Sequence, residues 1–184
     1  MANTATNVSV GKPRTAGGIY RAPLNTALPT DATTALAVTS VSMGYIAEGG
    51  VTNSNSMETD NLRAWGGDVV MAYQTGRDDT FAFGLIESIN ADALKAVYGD
   101  TAVTGSVANG MAITASAKDL DAAVWVIDMV MRGGILKRIV IPNGKVTEVG
   151  DIVYEDEAAI TYPLTVTAMA DASGNTHYEY ISEA

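Results

Sequence analysis

Asp171-Ala172-Ser173-Gly174-Asn175 is the stretch of this sequence that comes nearest to a cation loop. A calcium loop needs oxygen ligands at fixed spacing and a closing bidentate Glu. Neither follows here, and Asp, Ser, Gly and Asn are the residues of tight turns, so the stretch reads as a turn. Glu155-Asp156-Glu157 is a run of like charge, ordinarily a solvated loop. Glu48, Glu58 and Asp60 are of a type that does acid–base work. General acid–base catalysis needs a positioned carboxyl with a shifted pKa, and the polar sequence around them supplies neither. His177, the only histidine, lies beside Tyr178 in a strand-like segment. No Gly-Lys-Ser/Thr phosphate cradle occurs. No catalytic residues, metal ligands or cofactor site are therefore expected, and the chain is not expected to be an enzyme.

Composition narrows the classes further. There are no cysteines, so disulfides, thiolate zinc sites and Cys nucleophiles are excluded. The net charge of −10 excludes phosphate-backbone binding by counterion release. No apolar run reaches the ~18 residues of a membrane-spanning helix, and no membrane binding is expected. The first residues, MANTATNVSVGKPRTAGG, lack the apolar core of a secretory signal. The 184 residues fit one domain. With 47% hydrophobic and only 17% charged residues, much of the surface is expected to be covered by something.

The elements that would position these side chains are mainly β. Residues 1–36 are rich in Ala, Thr, Asn, Gly and Pro and read as an extended N-terminal arm; residues 37–184 read as a single β-domain. A strand is expected from Ala37 to Tyr45. Glu48–Gly67 then reads as a long inter-strand loop, because Asn, Ser, Thr and Gly dominate it. Val69–Thr75 and Thr80–Ser88 flank Gly76-Arg77-Asp78-Asp79 and predict a hairpin whose face of Phe81, Phe83 and Leu85 enters the core. One short helix is expected at about 90–98: Asn90 can cap it, Asp92 suits its positive end, Leu94, Val97 and Tyr98 share a face, and Gly99 can close it. Asn109-Gly110 marks a further hairpin turn. Ala123–Arg132 and Ile135–Pro142 read as a hairpin on a two-residue Gly133-Gly134 turn. In that register Trp125 and Ile127 share a face with Leu136, Arg138 and Val140, and Asp128 pairs diagonally with Lys137. Both faces are largely apolar, so both are expected to be buried, one of them with help from neighbours. Val146–Tyr154, Ala159–Ala170 and Thr176–Ile181 supply the last strands, the final two as a hairpin.

Two segments carry apolar residues without a core pattern. In the arm these are Ile19, Tyr20 and Leu24; in the long loop, Met57, Leu62 and Trp65. Compact domains connect elements with about 4–6 residues, so a loop as long as Glu48–Gly67 points to a function. These six residues are the candidate contacts between copies of the chain. Trp65 is either an interface anchor or packing at the loop base.

GYIAEGGVTNSNSMETDNLRAWGGDVV, IESINADALKAVYGD, LKRIVIPNGKVTEVGDIVYEDEAAITYPLTVTA and GNTHYEY occur in that order and span most of the chain. On these segments the sequence resembles the major tail proteins, or tail tube proteins, of long-tailed phages with non-contractile tails (siphophages), particularly those of actinobacteria. The resemblance implies a β-sandwich or barrel-like core with a flanking helix. It implies hexameric rings that stack into a hollow tube, with arms and loops bridging rings. It implies a tape-measure protein in the lumen, terminator and tip proteins at the tube ends, and double-stranded DNA passing through without specific binding. The protein would be a virion component assembled in the host cytoplasm. Asp128 is the residue expected to face the lumen. Some family members carry an added immunoglobulin-like domain, and none is expected here. Deleting residues 1–20 is expected to spare the fold. The alternative reading is another phage structural module or a carbohydrate-binding β-sandwich, which two Trp and two Phe equip thinly for a ligand platform.

Overall fold

The computed structural model describes residues 3–15 and 17–184. Met1, Ala2 and Ala16, part of the expected arm, lie outside the described residues. The strands are β1 (Lys12–Pro13), β2 (Ile19–Pro23), β3 (Val41–Ser42), β4 (Ile46–Arg63), β5 (Val69–Leu85), β6 (Val103–Ser106), β7 (Gly110–Ile113), β8 (Ala123–Val130), β9 (Leu136–Val149), β10 (Tyr162–Ala168) and β11 (Tyr178–Ser182), and the helix is α1 (Ala91–Tyr98). Nine strands form one antiparallel sheet along the path β3-β2-β8-β9-β10-β5-β4, with β1 on β8 and β11 on β9; β6 and β7 pair separately. The chain is mainly β, as the sequence pattern predicts, and the sheet is open rather than closed into a barrel.

β9 is the strand through which the sheet turns. Its first half carries β8 on one edge and β11 on the other. Its second half exchanges β11 for β10. Between the halves lie Pro142, Asn143 and Gly144, where the β8–β9 register shifts by one residue. A bulge is where a strand tolerates Pro, which has no N–H to donate. Gly144 is required there: a Cβ would lie 2.6 Å from the Trp125 ring and 2.9 Å from Val166. Instead the Trp125 indole N–H donates to the Gly144 carbonyl at 3.2 Å. The turn brings the two halves of the sheet face to face, so that Phe83 on β5 meets Trp125 on β8 with ring centroids 5.7 Å apart.

The main core fills that concave side. Phe81, Phe83, Leu85, Trp125, Ile127, Ile141, Leu164 and Val166 pack there with Leu94 and Val97 of α1. At eight residues the helix would not persist alone. It is held by this packing and by Asn90, whose side chain accepts from the Asp92 N–H at 3.0 Å. Gly99 closes it at φ +103°. A second cluster covers the other side of β8 and β9: Ala22, Val124, Val126 and Val140, overlaid by Leu28, Leu36, Tyr178 and Tyr180. The chain itself therefore covers the second apolar face, which was expected to need neighbours.

Several expectations are corrected. Glu48–Gly67 is not a loop: its residues up to Arg63 form β4, paired to β5 along nearly its whole length. A ladder is made by backbone groups, and a strand wet on both faces needs no apolar alternation to reveal it. Gly76-Arg77-Asp78-Asp79 is not a turn but the middle of β5. Ala37–Tyr45 is mostly irregular, with only β3 inside it. The β8–β9 connection spans residues 131–135, closed by the Met131 N–H donating to the Ile135 carbonyl at 2.7 Å. The resulting pairs, Asp128 with Arg138 and Ile127 with Ile139, are one residue out from the two-residue-turn register. A slip of one exchanges the faces of a strand; Asp128 therefore meets Arg138, and Lys137 pairs with Glu179 instead. The turn at Asp171–Asn175 forms, but β10 and β11 do not pair with each other; they lie end to end along β9.

The arm is shorter than residues 1–36. β2 lies inside the sheet against β8, and Ile19 is 1% exposed in the main core. Deleting residues 1–20 would remove that core residue and the first two residues of β2, so the truncation expected to spare the fold would damage it.

Asp128 and Arg138 are 4% and 2% exposed. The guanidinium grips the carboxylate with two bonds, Nε to Oδ1 at 2.7 Å and Nη2 to Oδ2 at 2.8 Å. Its remaining nitrogen donates to the Asp31 and Thr34 carbonyls at 3.1 and 2.7 Å, which fastens the 31–36 crossing to the sheet. Removing one partner of a buried pair costs about 3–5 kcal/mol, because the other charge is stranded. Asp128→Ala is expected to lose stability of that order in urea unfolding. Asp128→Leu combined with Arg138→Met is expected to lose far less. Equal losses from the two would show that the segment, not the charge, sets the cost.

Candidate assembly surface

β4 and β5 form a hairpin whose outer half leaves the body. β10 flanks β5 only from Thr80 to Leu85. From Asn55 to Arg63 and from Asp79 back to Val69 the two strands, among the described residues, pair only with each other. This ribbon extends about 30 Å, nine residues at ~3.3 Å each. Its turn is built by Ala64, Trp65, Gly66, Gly67 and Asp68. The Ala64 N–H donates to the Asp68 carbonyl at 2.8 Å and the Gly67 N–H to the Ala64 carbonyl at 3.0 Å. Gly66 and Gly67 take φ +118° and +99°, which a side chain would strain. Trp65 is fully exposed at the tip.

The ribbon is apolar on one face. Leu62 pairs with Met71, and Asp60 with Tyr73; residues two apart on a strand share a side. Leu62, Met71 and Tyr73 are all exposed. Met57, five residues from Leu62 on the same strand, points the other way, beside Arg77, whose Nε donates to Asn55 at 2.7 Å. The tip adds Val69 and Val70, both exposed. Of the six expected contact residues, the structure thus gathers Met57, Leu62 and Trp65 on one projecting element. Leu24 is exposed on the body, Tyr20 is half-buried against the second cluster, and Ile19 is core. Ile19 is corrected as a contact: a side chain covered by its own chain offers nothing to a neighbour. Asp128 is likewise corrected as a lumen residue, since both its oxygens are bound within the chain. Met71 and Tyr73 went unassigned in the sequence reading. The signal for them was the polarity of residues 52–61, which no core-facing strand partner would carry.

The ribbon is anchored at its root. Asp79 is 1% exposed. Its carboxylate accepts from Asn53 Nδ2 at 2.8 Å, from the Thr176 hydroxyl at 2.6 Å and from His177 Nδ1 at 2.5 Å. His177 also sits edge-on to Phe81, 5.3 Å between centroids. Burial pushes the Asp79 carboxyl up, but the bonds from Thr176, Asn53 and His177 outweigh it and hold the pKa below the ordinary value. The single histidine therefore fastens the hairpin to the segment before β11. Asp171 is spent similarly: its carboxylate accepts from Tyr178, Ser173 and Asn175 and closes a turn. Glu48, Glu58 and Asp60 are strung along β4 rather than gathered. Glu155, Asp156 and Glu157 lie exposed in the connection after β9.

The structure is a curled antiparallel sheet with a projecting hairpin whose root is held by committed side chains. The family model for phage tail tube proteins matches residues 1–184. The chain belongs to that family and is a structural protein of the phage tail. Among solved structures it is similar to the tube-terminating cap of the anti-feeding prophage, determined by cryo-EM, with a TM-score of 0.50 and 10% identity over 99% of this chain and 100% of that one. At that identity the likeness is one of fold. No curated protein matches the sequence.

The Asp79 anchor gives a pH prediction. A carboxyl whose folded pKa is depressed adds stability that is present above the unfolded value and lost as pH falls through the folded one. Wild type is expected to exceed Asp79→Asn by about 1–3 kcal/mol at neutral pH, with the gap closing only below the ordinary carboxylate range. Tryptic cleavage at Arg77 should be faster in the variant. A gap unchanged down to pH 2, or unchanged cleavage, would contradict the anchor.

Proposed function

We propose that the chain polymerises as stacked hexameric rings into the hollow tail tube of a siphophage, and that double-stranded DNA passes through that tube to the host. The observation that carries this reading is the β4–β5 ribbon. Among the described residues both its outer edges lack a strand partner, and one face and its tip carry Leu62, Met71, Tyr73 and Trp65 exposed. Open edges invite pairing with other chains. A two-stranded ribbon is marginal in water alone, so its sequence makes sense in an assembly that completes it. A head-to-tail contact that closes by rotation yields a ring, and a projecting ribbon can reach beyond its own ring.

The net charge of −10 fits a conduit for a polyanion. Like charge disfavours adhesion of DNA to the wall, over a screening length of about 8 Å at physiological salt. The tape-measure protein would fill the lumen before DNA, terminator and tip proteins would close the ends, and assembly would take place in the host cytoplasm. The protein would act without catalysis or cofactor: its best-placed polar groups, Asp79, Asp128, Arg138, His177 and Asp171, are all bound in structural contacts.

Negative-stain electron microscopy of the purified chain over a concentration series tests the reading. Rings or hollow tubes are expected. Particles that remain monomeric at every concentration and with tail-tip components added would contradict it. Trp65→Ala is expected to leave the melting temperature of the free chain nearly unchanged, since exposed substitutions fall within about 0.5 kcal/mol, while raising the concentration at which polymers form. A lowered melting temperature with an unchanged threshold would assign Trp65 to the fold instead.

A further inference from the structure

Charge is unevenly distributed along this chain. Residues 1–30 hold Lys12, Arg14 and Arg21 and no Asp or Glu; the residues after Lys145 hold eight carboxylates and no Lys or Arg. Lys12 lies with Arg132 at the start of β9, as does Glu183 after β11, whereas Asp151, Glu155, Asp156 and Glu157 lie past the far end of β9. Before its first residue, Val8, Val10, Lys12, Val130, Met131 and Arg132 line a mainly apolar cleft of about 430 Å³. The cleft is built by backbone bonding. Lys12 pairs with Val130 in the β1–β8 ladder, and the Arg132 N–H donates to the Ser9 hydroxyl at 2.7 Å. Val8 and Val10 are exposed on its wall. Arg14, Arg21, Lys95, Lys137, Arg138 and Lys145 each have a carboxylate partner. Among the described residues Lys12 and Arg132 have none, like Arg63, Arg77 and Lys118 elsewhere.

After the last residue of β9 the chain runs through residues 151–157, exposed except for Ile152, which packs against the main core. Val153 stands out of it, exposed. Tyr154 lies near Tyr98, whose pKa is raised first by burial and then by Tyr154. Asp151, Glu155, Asp156 and Glu157 flank Val153 and Tyr154, and among the described residues these carboxylates have no cationic partner. An exposed valine framed by unpaired anions complements an apolar cleft framed by unpaired cations.

We propose that residues 151–157 of one copy seat in the Val8–Arg132 cleft of the next, with Val153 against Val8, Val10 and Met131 and the carboxylates facing Lys12 and Arg132. Within one chain the two features lie at opposite ends of a fourteen-residue strand, so the occupant is a second copy. The contact joins unlike patches and is therefore head-to-tail, the kind that repeats. Opposed rim charges fix register and speed encounter. The inference rests on the tube reading above and adds the contact that would orient successive subunits.

Charge exchange tests it. The Lys12→Glu, Arg132→Glu chain and the Asp151→Lys, Glu155→Lys, Asp156→Lys chain are each expected to raise the polymerisation threshold about tenfold or more. One chain carrying all five changes is expected to return toward the wild-type threshold. Thermal unfolding monitors whether each variant folds. As a second readout, Val8→Cys and Val153→Cys in one chain should form intermolecular disulfides on polymerisation, in a sequence with no other cysteine. Wild-type assembly by the Lys12/Arg132 variant, or no chain-to-chain disulfide within formed tubes, would overturn this contact while leaving the tube reading intact. A wild type that never polymerises would overturn both.

Discussion

Every β-strand presents backbone donors and acceptors on two edges, and this structure depends on where those edges are met. In the body they are met within the chain. β9 serves three neighbours by taking β8 on one side and β11 then β10 on the other. The exchange is possible because Pro142 and Gly144 make a bulge under Trp125. In the ribbon only the inner edges are met, each strand by the other, and among the described residues the outer edges have no strand partner. Cross-strand pairs contribute only about 0.2–1 kcal/mol each, against about 1–2 kcal/mol per residue for fixing backbone. Residues 55–78 therefore cannot hold their form on local contacts alone and depend on the body that anchors them and, in the proposed tube, on partners.

Two buried carboxylates do the anchoring. Asp128, held by Arg138, ties the 31–36 crossing over the second face of the sheet. That cover lets β8 be apolar on both sides without an exposed patch. Asp79, held by Asn53, Thr176 and His177, stands where the ribbon leaves the sheet. Both lie in strands, both are nearly inaccessible, and both are spent on internal bonds. Burial explains why Asp128, which was expected at the lumen, serves architecture instead.

What was legible in the sequence follows the same division. α1 was legible because Asn90, Gly99 and a spaced apolar face agree. β6–β7 was legible from Asn109-Gly110, and Phe81, Phe83 and Leu85 from their alternation against a core. β4 was not, because a strand bathed on both sides has no periodicity to read, and its Asn and Ser imitate a loop. The faces of β9 were misread because Gly133-Gly134 imitates a two-residue turn, whereas the connection is five residues long and an odd change in loop length reverses every side chain. β2 was hidden by flanking Pro and Gly, and its placement beside β8 is a long-range pairing that no local pattern announces. Of the candidate contacts, the loop residues were rightly singled out as exposed, although they belong to a ribbon. Ile19 and Asp128 were misplaced because apolarity and charge alone do not report burial.

These features make a tail tube protein whose body is complete and whose projecting hairpin is not. Amide hydrogen exchange, compared between the free chain and its polymer, tests this most directly. The account predicts rapid exchange across residues 55–78 in the free chain, slow exchange in β8 and β9, and strong new protection along the ribbon on assembly. A ribbon already as protected as the core in the free chain, or one still exchanging rapidly within formed polymers, would contradict it.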